Sequence, residues 1–227
     1  MPRIAYVNGR YVPLAEARVG VEDRAFQFAD GVYEVAAVLN GRLLDWDAHL
    51  ARLRRSMGEL AIAAPMGVRV VSVADGRWSR PDIKSVSLLP NVLAKEAARA
   101  AGAGEAWFVD AQGYVTEGGS TNAWIVDASG ALRIRPADGA ILAGVMRATL
   151  LRVAAEAGVA VEERAFSLAE ARAAREAFLT STTNPCVPVV ALDGAAVGDG
   201  RPGPVTGQLA AALWAKIGRQ TGWEAIR

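Results

Sequence analysis

The chain has one cysteine, Cys186, and one histidine, His49, in 227 residues. A lone cysteine excludes an intramolecular disulfide framework and fits a reducing compartment. A lone histidine leaves Ser-His-Asp, Cys-His and multi-histidine metal chemistry short of parts, so no transition-metal site is expected. An excess of one charge is missing too: 25 basic residues face 24 acidic ones, a net charge of +1. That balance argues against electrostatic binding to nucleic acid or to an anionic membrane surface. No run is apolar enough to span a bilayer. The start, Met1-Pro2-Arg3-Ile4-Ala5, has neither the apolar core nor the cleavage pattern of a secretory signal. A cytoplasmic location is the expectation. Neither G-x-G-x-x-G after a first strand nor G-x-x-x-x-G-K-[ST] occurs, so nucleotide-loop readings have no support.

What is present is material for a core. Hydrophobic residues make up 52% of the chain, enough for one large domain or two small ones, although much of that share is alanine. Ile4 to Val7, Asn8-Gly9 and Arg10 to Val12 predict a hairpin, and Val32 to Leu39, Asn40-Gly41 and Arg42 to Leu44 predict a second. Trp46, Leu50, Leu53, Met57 and Leu60 recur at helical spacing behind Asp45 or Asp47 as a cap. His49 lies on that stripe and reads as a core residue. Cys186 reads as a small apolar filler beside Val187. Further strands are expected at Val68 to Val73, Glu105 to Val109, Tyr114 to Thr116, Asn122 to Val126, Ala177 to Thr180 and Val189 to Leu192. Helices are expected from Asn91 to Ala101, from Gly144 to Ala157, after the capping box at Ser167, and around Leu209, Leu213 and Ile217. Hairpins followed by mixed strands and helices mean an α+β architecture.

Lys84 is the residue that points to chemistry. It interrupts an otherwise apolar run, Asp82 to Asn91, which reads as a strand. A lysine buried in such a run is costly while charged, and a neutral amine is a nucleophile for aldehydes. Three other segments could serve an aldehyde cofactor. Thr116-Glu117-Gly118-Gly119-Ser120-Thr121-Asn122 places a carboxylate at a strand end before a tight turn. Such a carboxylate can hold a pyridine nitrogen protonated. Leu142-Ala143-Gly144-Val145-Met146-Arg147 runs a loop into a helix start, where free amides and the helix dipole attract phosphate. Thr180-Ser181-Thr182-Thr183 puts four hydroxyls after an apolar strand, and Arg52 could add a charge-assisted bond to the same anion. Each segment alone reads more simply as a turn, a capped helix or a polar loop.

Their order along the chain, together with Asp30-Gly31-Val32-Tyr33-Glu34-Val35, resembles the fold-type IV pyridoxal-phosphate enzymes, the class IV aminotransferases, from Tyr6 to about Val190. Within that family the D-amino-acid aminotransferases look most similar. The resemblance implies a two-domain α+β fold, with an N-terminal domain over 1–66 and a cofactor-binding domain over 67–227. It implies pyridoxal 5'-phosphate, with Lys84 as the Schiff-base lysine and proton shuttle and Glu117 paired with the pyridine nitrogen. Arg52, Val145, Met146, Ser181 and Thr182 would hold the phosphate. Ser120 and Thr121 would line the cofactor, with Thr121 and Thr182 also on the substrate side. Tyr33 and Arg77 would face substrate and cofactor oxygens. The implied reaction moves an amino group between a D-amino acid, such as D-alanine, and a 2-oxo acid, such as 2-oxoglutarate. Branched-chain or amine transamination, or an aminodeoxychorismate lyase reaction, are the alternatives within the fold. A homodimer is implied by resemblance only.

The chain departs from the family in three places. Met146 stands where threonine is usual, so its backbone amide alone could serve a phosphate. Gly119 replaces a usual serine. At Met66-Gly67 several tens of residues are missing, including an arginine and a histidine that help to trap the substrate carboxylate. The N-terminal domain is therefore expected to be shortened, with cofactor residues kept and some substrate residues lost. A cofactor-binding but catalytically impaired protein is the reading this junction favours.

Overall fold

The computed structural model describes residues 3–7, 10–21, 23, 31–60 and 67–221. They fall into two compact units that divide at residues 64–65.

In the first unit β1 (Ile4–Val7) pairs antiparallel with β2 (Arg10–Pro13), and Tyr6 faces Tyr11 with ring centroids 4.8 Å apart. The expected Asn8-Gly9 turn lies outside the described residues. A second hairpin joins β3 (Val38–Leu39) to β4 (Arg42–Leu43). Asn40 and Gly41 between them take φ of 51° and 75°, the left-handed pair a two-residue hairpin turn requires. The strand expected from Val32 is confined to its last two residues, because residues 31–37 have no ladder partner among the described residues. Helix α1 (Trp46–Glu59) follows.

The second unit is built on one mixed sheet. Its strands are β5 (Val68–Ala74), β6 (Glu105–Val109), β7 (Val115–Gly118), β8 (Asn122–Val126), β9 (Leu132–Ile134), β10 (Val161–Glu163), β11 (Glu176–Thr180), β12 (Val187–Leu192) and β13 (Ala195–Ala196). The order across the sheet is β10-β9-β8-β11-β12-β5-β6-β7, with β13 also paired to β12. Most neighbours are antiparallel, but β5 runs parallel to both β6 and β12, and β9 parallel to β10. A parallel neighbour needs a crossover, and α2 (Leu89–Ala100) supplies it between β5 and β6.

Side-chain alternation explains why these strands read as continuous apolar runs. Trp124, Val126 and Phe178 point to one face, where α3 (Val145–Glu156) and α5 (Pro204–Thr221) bring Leu150, Val153, Leu209 and Leu213. Ala123, Ile125, Ala177 and Leu179 point to the other, with Trp107, Phe166 and Val189. Trp124 and Phe178 sit opposite each other on β8 and β11, stacked at 5.6 Å. Cys186 is buried in the first of these clusters, and burial pushes its thiol up to about 12, so it packs as an inert filler. Ser167 forms the expected capping box with Glu170 at α4 (Leu168–Arg172).

The run around Lys84 departs from expectation. It is a series of bends, not a strand, and Lys84 is exposed. Its apolar neighbours are exposed as well, Val86 by 95% and Leu89 by 69%. No strand among the described residues pairs with this run, so the strand inferred from its composition does not form.

Two substitutions test this packing. Leu209→Ala should cost about 2–5 kcal/mol in urea unfolding, because a fully buried side chain leaves a cavity between α3 and α5. Ser167→Ala should cost about 1 kcal/mol through loss of the cap.

Candidate active site

Strand ends converge on one cavity of 870 Å³ in the second unit. β7 delivers Glu117 and Gly118, β8 begins at Asn122, and β11 ends at Thr180, which the register places opposite Asn122. Arg77 follows the end of β5, and Gly144 opens α3. The bends at 81–88 bring Lys84. Of the residues singled out in the sequence, Lys84, Arg77, Glu117, Ser120, Thr121, Val145, Met146, Ser181 and Thr182 all line this cavity.

Glu117 is the electrostatic centre. Only 6% of it meets solvent. It pairs with Arg77, takes the Leu142 amide at 3.1 and 3.2 Å, and takes the Asn122 side-chain amide at 3.1 Å. Burial pushes its carboxyl up to about 7, while Arg77 and the Leu142 amide pull the other way. Arg77 is itself fixed on several sides. Asp75 binds it at 2.7 and 2.9 Å, and its Nη2 donates to the Thr116 hydroxyl and the Ala140 carbonyl, each at 3.1 Å. Burial opposes the charge on Asp75, but bonds from Arg77 and Thr116 outweigh it and hold this carboxyl below its ordinary value. Arg77 was expected to face the cofactor and substrate. Here it lines the cavity while its guanidinium is paired with Asp75 and Glu117.

The loop before α3 is tied to Glu117 through Leu142 and Asn122. Asn122 donates to the Leu142 carbonyl at 3.1 Å. A Cβ on Gly144 would come 2.2 Å from Asn122 Oδ1, so glycine is required there. Gly144 also caps α3 without a side chain, which leaves the first-turn amides free of any side-chain partner. Gly118 is equally constrained, since a Cβ would meet Thr121 Oγ1 at 2.1 Å. Across the cavity the four hydroxyls divide. Thr180 accepts the Trp124 indole N–H at 2.9 Å and is almost wholly buried. Ser181 accepts the Asn184 amide at 3.0 Å in a turn, while Ser181 and Thr182 reach the cavity wall.

Tyr33 and Arg52 belong to the first unit. Tyr33 is 85% exposed. Arg52 donates through Nε and Nη2 to Glu34, which also meets His49 Nδ1 at 2.8 Å. Arg52 and then His49 hold the Glu34 carboxyl down to about 2. His49 is thus a partly exposed hydrogen-bonding group, not the core residue its position in the stripe suggested. Sequence reasoning also missed Asp75, Asn91, Lys95 and Glu105, which fix the cavity wall. Asp75 could have been found: an acid two residues before an arginine at a strand end is a ready ion pair.

Comparison with known proteins gives this geometry a family. Residues 63–192 match the model for Amino-transferase class IV, and the chain belongs to that family. The chain is 32% identical to a D-alanine aminotransferase of Bacillus licheniformis, over 94% of this chain and 97% of the relative. It is 31% identical to a D-alanine aminotransferase of Staphylococcus aureus strain MSSA476, over 90% and 94%. Among solved structures, the branched-chain aminotransferase of the archaeon Thermoproteus uzoniensis with norvaline superimposes with a TM-score of 0.60 at 24% identity, covering 90% of this chain and 91% of that one. A hypothetical aminotransferase from Mycobacterium tuberculosis in its PLP-bound form gives 0.59 at 20% identity, covering 92% and 97%. The fold is therefore fold-type IV. The alignment to the Bacillus protein runs over 276 positions, more than the 227 residues of this chain. The relative therefore carries positions that this chain lacks; Met66 of the Met66-Gly67 junction lies outside the described residues.

The raised carboxyl has a consequence for stability. Glu117 rises from 4.5 to about 7 on folding, so between these values the folded chain holds a proton that the unfolded chain has released. This acid's contribution is most favourable below 4.5 and is lost as pH rises to about 7. Subtracting the urea-unfolding pH profile of Glu117→Gln from that of the wild type should isolate this slope, worth up to about 3 kcal/mol at roughly 1.36 kcal/mol per pKa unit.

Proposed function

We propose that the chain transfers the amino group of a D-amino acid, D-alanine being the test case, to a 2-oxo acid such as 2-oxoglutarate, using pyridoxal 5'-phosphate. The observation that carries this reading is the cavity itself: an accessible amine at Lys84, a buried carboxylate at Glu117, and an uncapped helix start beside Gly144 face one space. Those are the three partners that an aldehyde, a pyridine nitrogen and a phosphate require.

The residues fit the cofactor. Lys84 would bind the aldehyde carbon and, when displaced, carry the substrate α-proton on its Nζ. Glu117 would face the ring nitrogen, with its carboxylate aimed by Arg77, Asn122 and the Leu142 amide. The Val145 and Met146 amides, with Ser181 and Thr182, would hold the phosphate. The missing threonine at 146 costs one side-chain donor and leaves the amide. Thr121 and Thr182 would stand on the substrate side. Family resemblance alone would give Arg52 and Tyr33 parts in the site, and Arg77 would act through the Glu117 that it pairs with. When bound, the cofactor supplies an electron-withdrawing ring that accepts the charge left at the substrate α-carbon. Residues 1–66 would form the shortened N-terminal domain and 67–227 the cofactor domain. A cytoplasmic homodimer completes the reading.

A second reading has its own support. Solved neighbours include branched-chain aminotransferases, and the positions missing relative to the Bacillus protein motivate a cofactor-binding protein with impaired turnover. A panel of D-alanine, L-leucine, a chiral primary amine and aminodeoxychorismate separates the readings.

Purified protein mixed with pyridoxal phosphate should turn yellow and make pyruvate from D-alanine and 2-oxoglutarate. Lys84→Ala should remove the colour and lower the rate by roughly a thousandfold or more, the scale of losing a general base together with its covalent anchor. A colourless wild type would refute the proposal, and colour without turnover of any donor would favour the impaired reading.

A further inference from the structure

A second carboxylate stands behind the cavity wall, and neither the sequence nor the reaction outlined above gives it a part. Glu105, at the start of β6, is 2% exposed. Its Oε1 takes the Ala106 amide at 2.9 Å. Its Oε2 takes Lys95 Nζ of α2 at 2.9 Å, the Thr121 hydroxyl at 3.1 Å and the Ser120 hydroxyl at 3.5 Å. One turn earlier on α2, Asn91 donates its side-chain amide to the Gly119 carbonyl at 2.9 Å. The turn 118–121 is thus tied to α2 directly through Asn91 and, by way of Glu105, through Lys95, and Asn91, Lys95, Ser120 and Thr121 all line the cavity.

Gly119 leaves room for this arrangement. A Cβ there would lie 3.0 Å from Glu105 Oε1 and 3.3 Å from Lys95 Cε, tighter than ordinary contact on both sides. The serine usual at this position would press on the carboxylate and on the lysine stem together.

We propose that Glu105 is a positioning residue for the amino-donor side of the cavity. The proposal rests on the aminotransferase reading. A carboxylate has no hydrogen to give, so each hydroxyl that bonds to it spends its single proton there. The Thr121 hydroxyl is held in this way at 3.1 Å, while Ser120, at 3.5 Å, is exposed at the cavity beside Asn91 and Lys95. Lys95 neutralises the buried charge and anchors it to α2, the helix that continues from the Lys84 bends. Glu105 therefore sets the place of this part of the wall without touching the substrate.

The test uses the full chain with Glu105→Gln, Glu105→Asp, and Glu176→Gln as a buried-carboxylate control whose bonds go to the Val205 and Thr206 amides instead. In protein without added cofactor, amide exchange at 119–121 should quicken about tenfold in Glu105→Gln, the scale of losing one charge-assisted bond. It should stay unchanged in Glu176→Gln. In the loaded enzyme Glu105→Gln should raise KM for D-alanine about tenfold with kcat within about threefold, and Glu105→Asp should recover part of the loss. Unchanged exchange at 119–121 overturns the proposal. So does an altered melting temperature with KM as in the wild type. A wild type that takes no colour, with faster exchange in Glu105→Gln, sinks the aminotransferase reading and leaves the hold of Glu105 on the turn standing.

Discussion

Glu117 brings a carboxylate into a wall that water hardly reaches, and Arg77 makes that burial tolerable. An isolated buried charge costs several kcal/mol, and a partner offsets this only when its remaining hydrogen-bonding groups are also satisfied. Arg77 meets that condition through Asp75, Thr116 and the Ala140 carbonyl. The end of β5, the middle of β7 and the loop before α3 are joined by this one guanidinium. Removing it would leave two carboxylates, Glu117 and Asp75, facing each other's charge.

The same carboxylate links the two ends of the cavity. Leu142 donates its amide to Glu117, and two residues later Gly144 opens the helix whose first-turn amides are free for an anion. Asn122 spans the same distance from the other side, bonding both Glu117 and the Leu142 carbonyl. A group bound at the helix start therefore sits on a loop held by the group that would meet a pyridine nitrogen. The spacing between the two is fixed by backbone and strand register, and long side chains contribute little to it. That rigidity is what a flat ring with a phosphate at one end demands of its host.

Much of this was legible in the sequence because it rests on local signals. Asn40-Gly41 named its turn, Ser167 and Glu170 named their cap, and the apolar runs through Asn122 to Val126 and Ala177 to Thr180 named two strands. The carboxylate, helix start and hydroxyls were found because their order along the chain matches one family. What failed was inference from composition about burial. The run around Lys84 is apolar, yet it forms no strand and Lys84 itself is exposed. His49 was misplaced for a related reason: a position on a stripe does not reveal a carboxylate fifteen residues earlier in the chain. Glu105 and Lys95 were invisible because their meeting depends on the crossover helix packing back on β6.

The exposed run bears on what the chain can do. Ile83, Val86, Leu88, Leu89, Val92 and Leu93 flank or follow Lys84 and are all exposed. Apolar surface costs about 25 cal/mol per Å² while it faces water, so a run of this kind gains from any cover it can find. Glu117 and the turn at Ser181 are held within the second unit by bonds of their own. Lys84 is different, because its bends are held by few bonds beyond their own turns. The amine is thus the least constrained member of the site and the carboxylate the most. Binding can tolerate that asymmetry, since a covalent bond to the cofactor would itself restrain Lys84. Under the proposed reaction proton transfer would be less forgiving, because Nζ would have to return to one face of the substrate after displacement. On that reading the freedom of Lys84 would weigh on turnover more heavily than on cofactor binding.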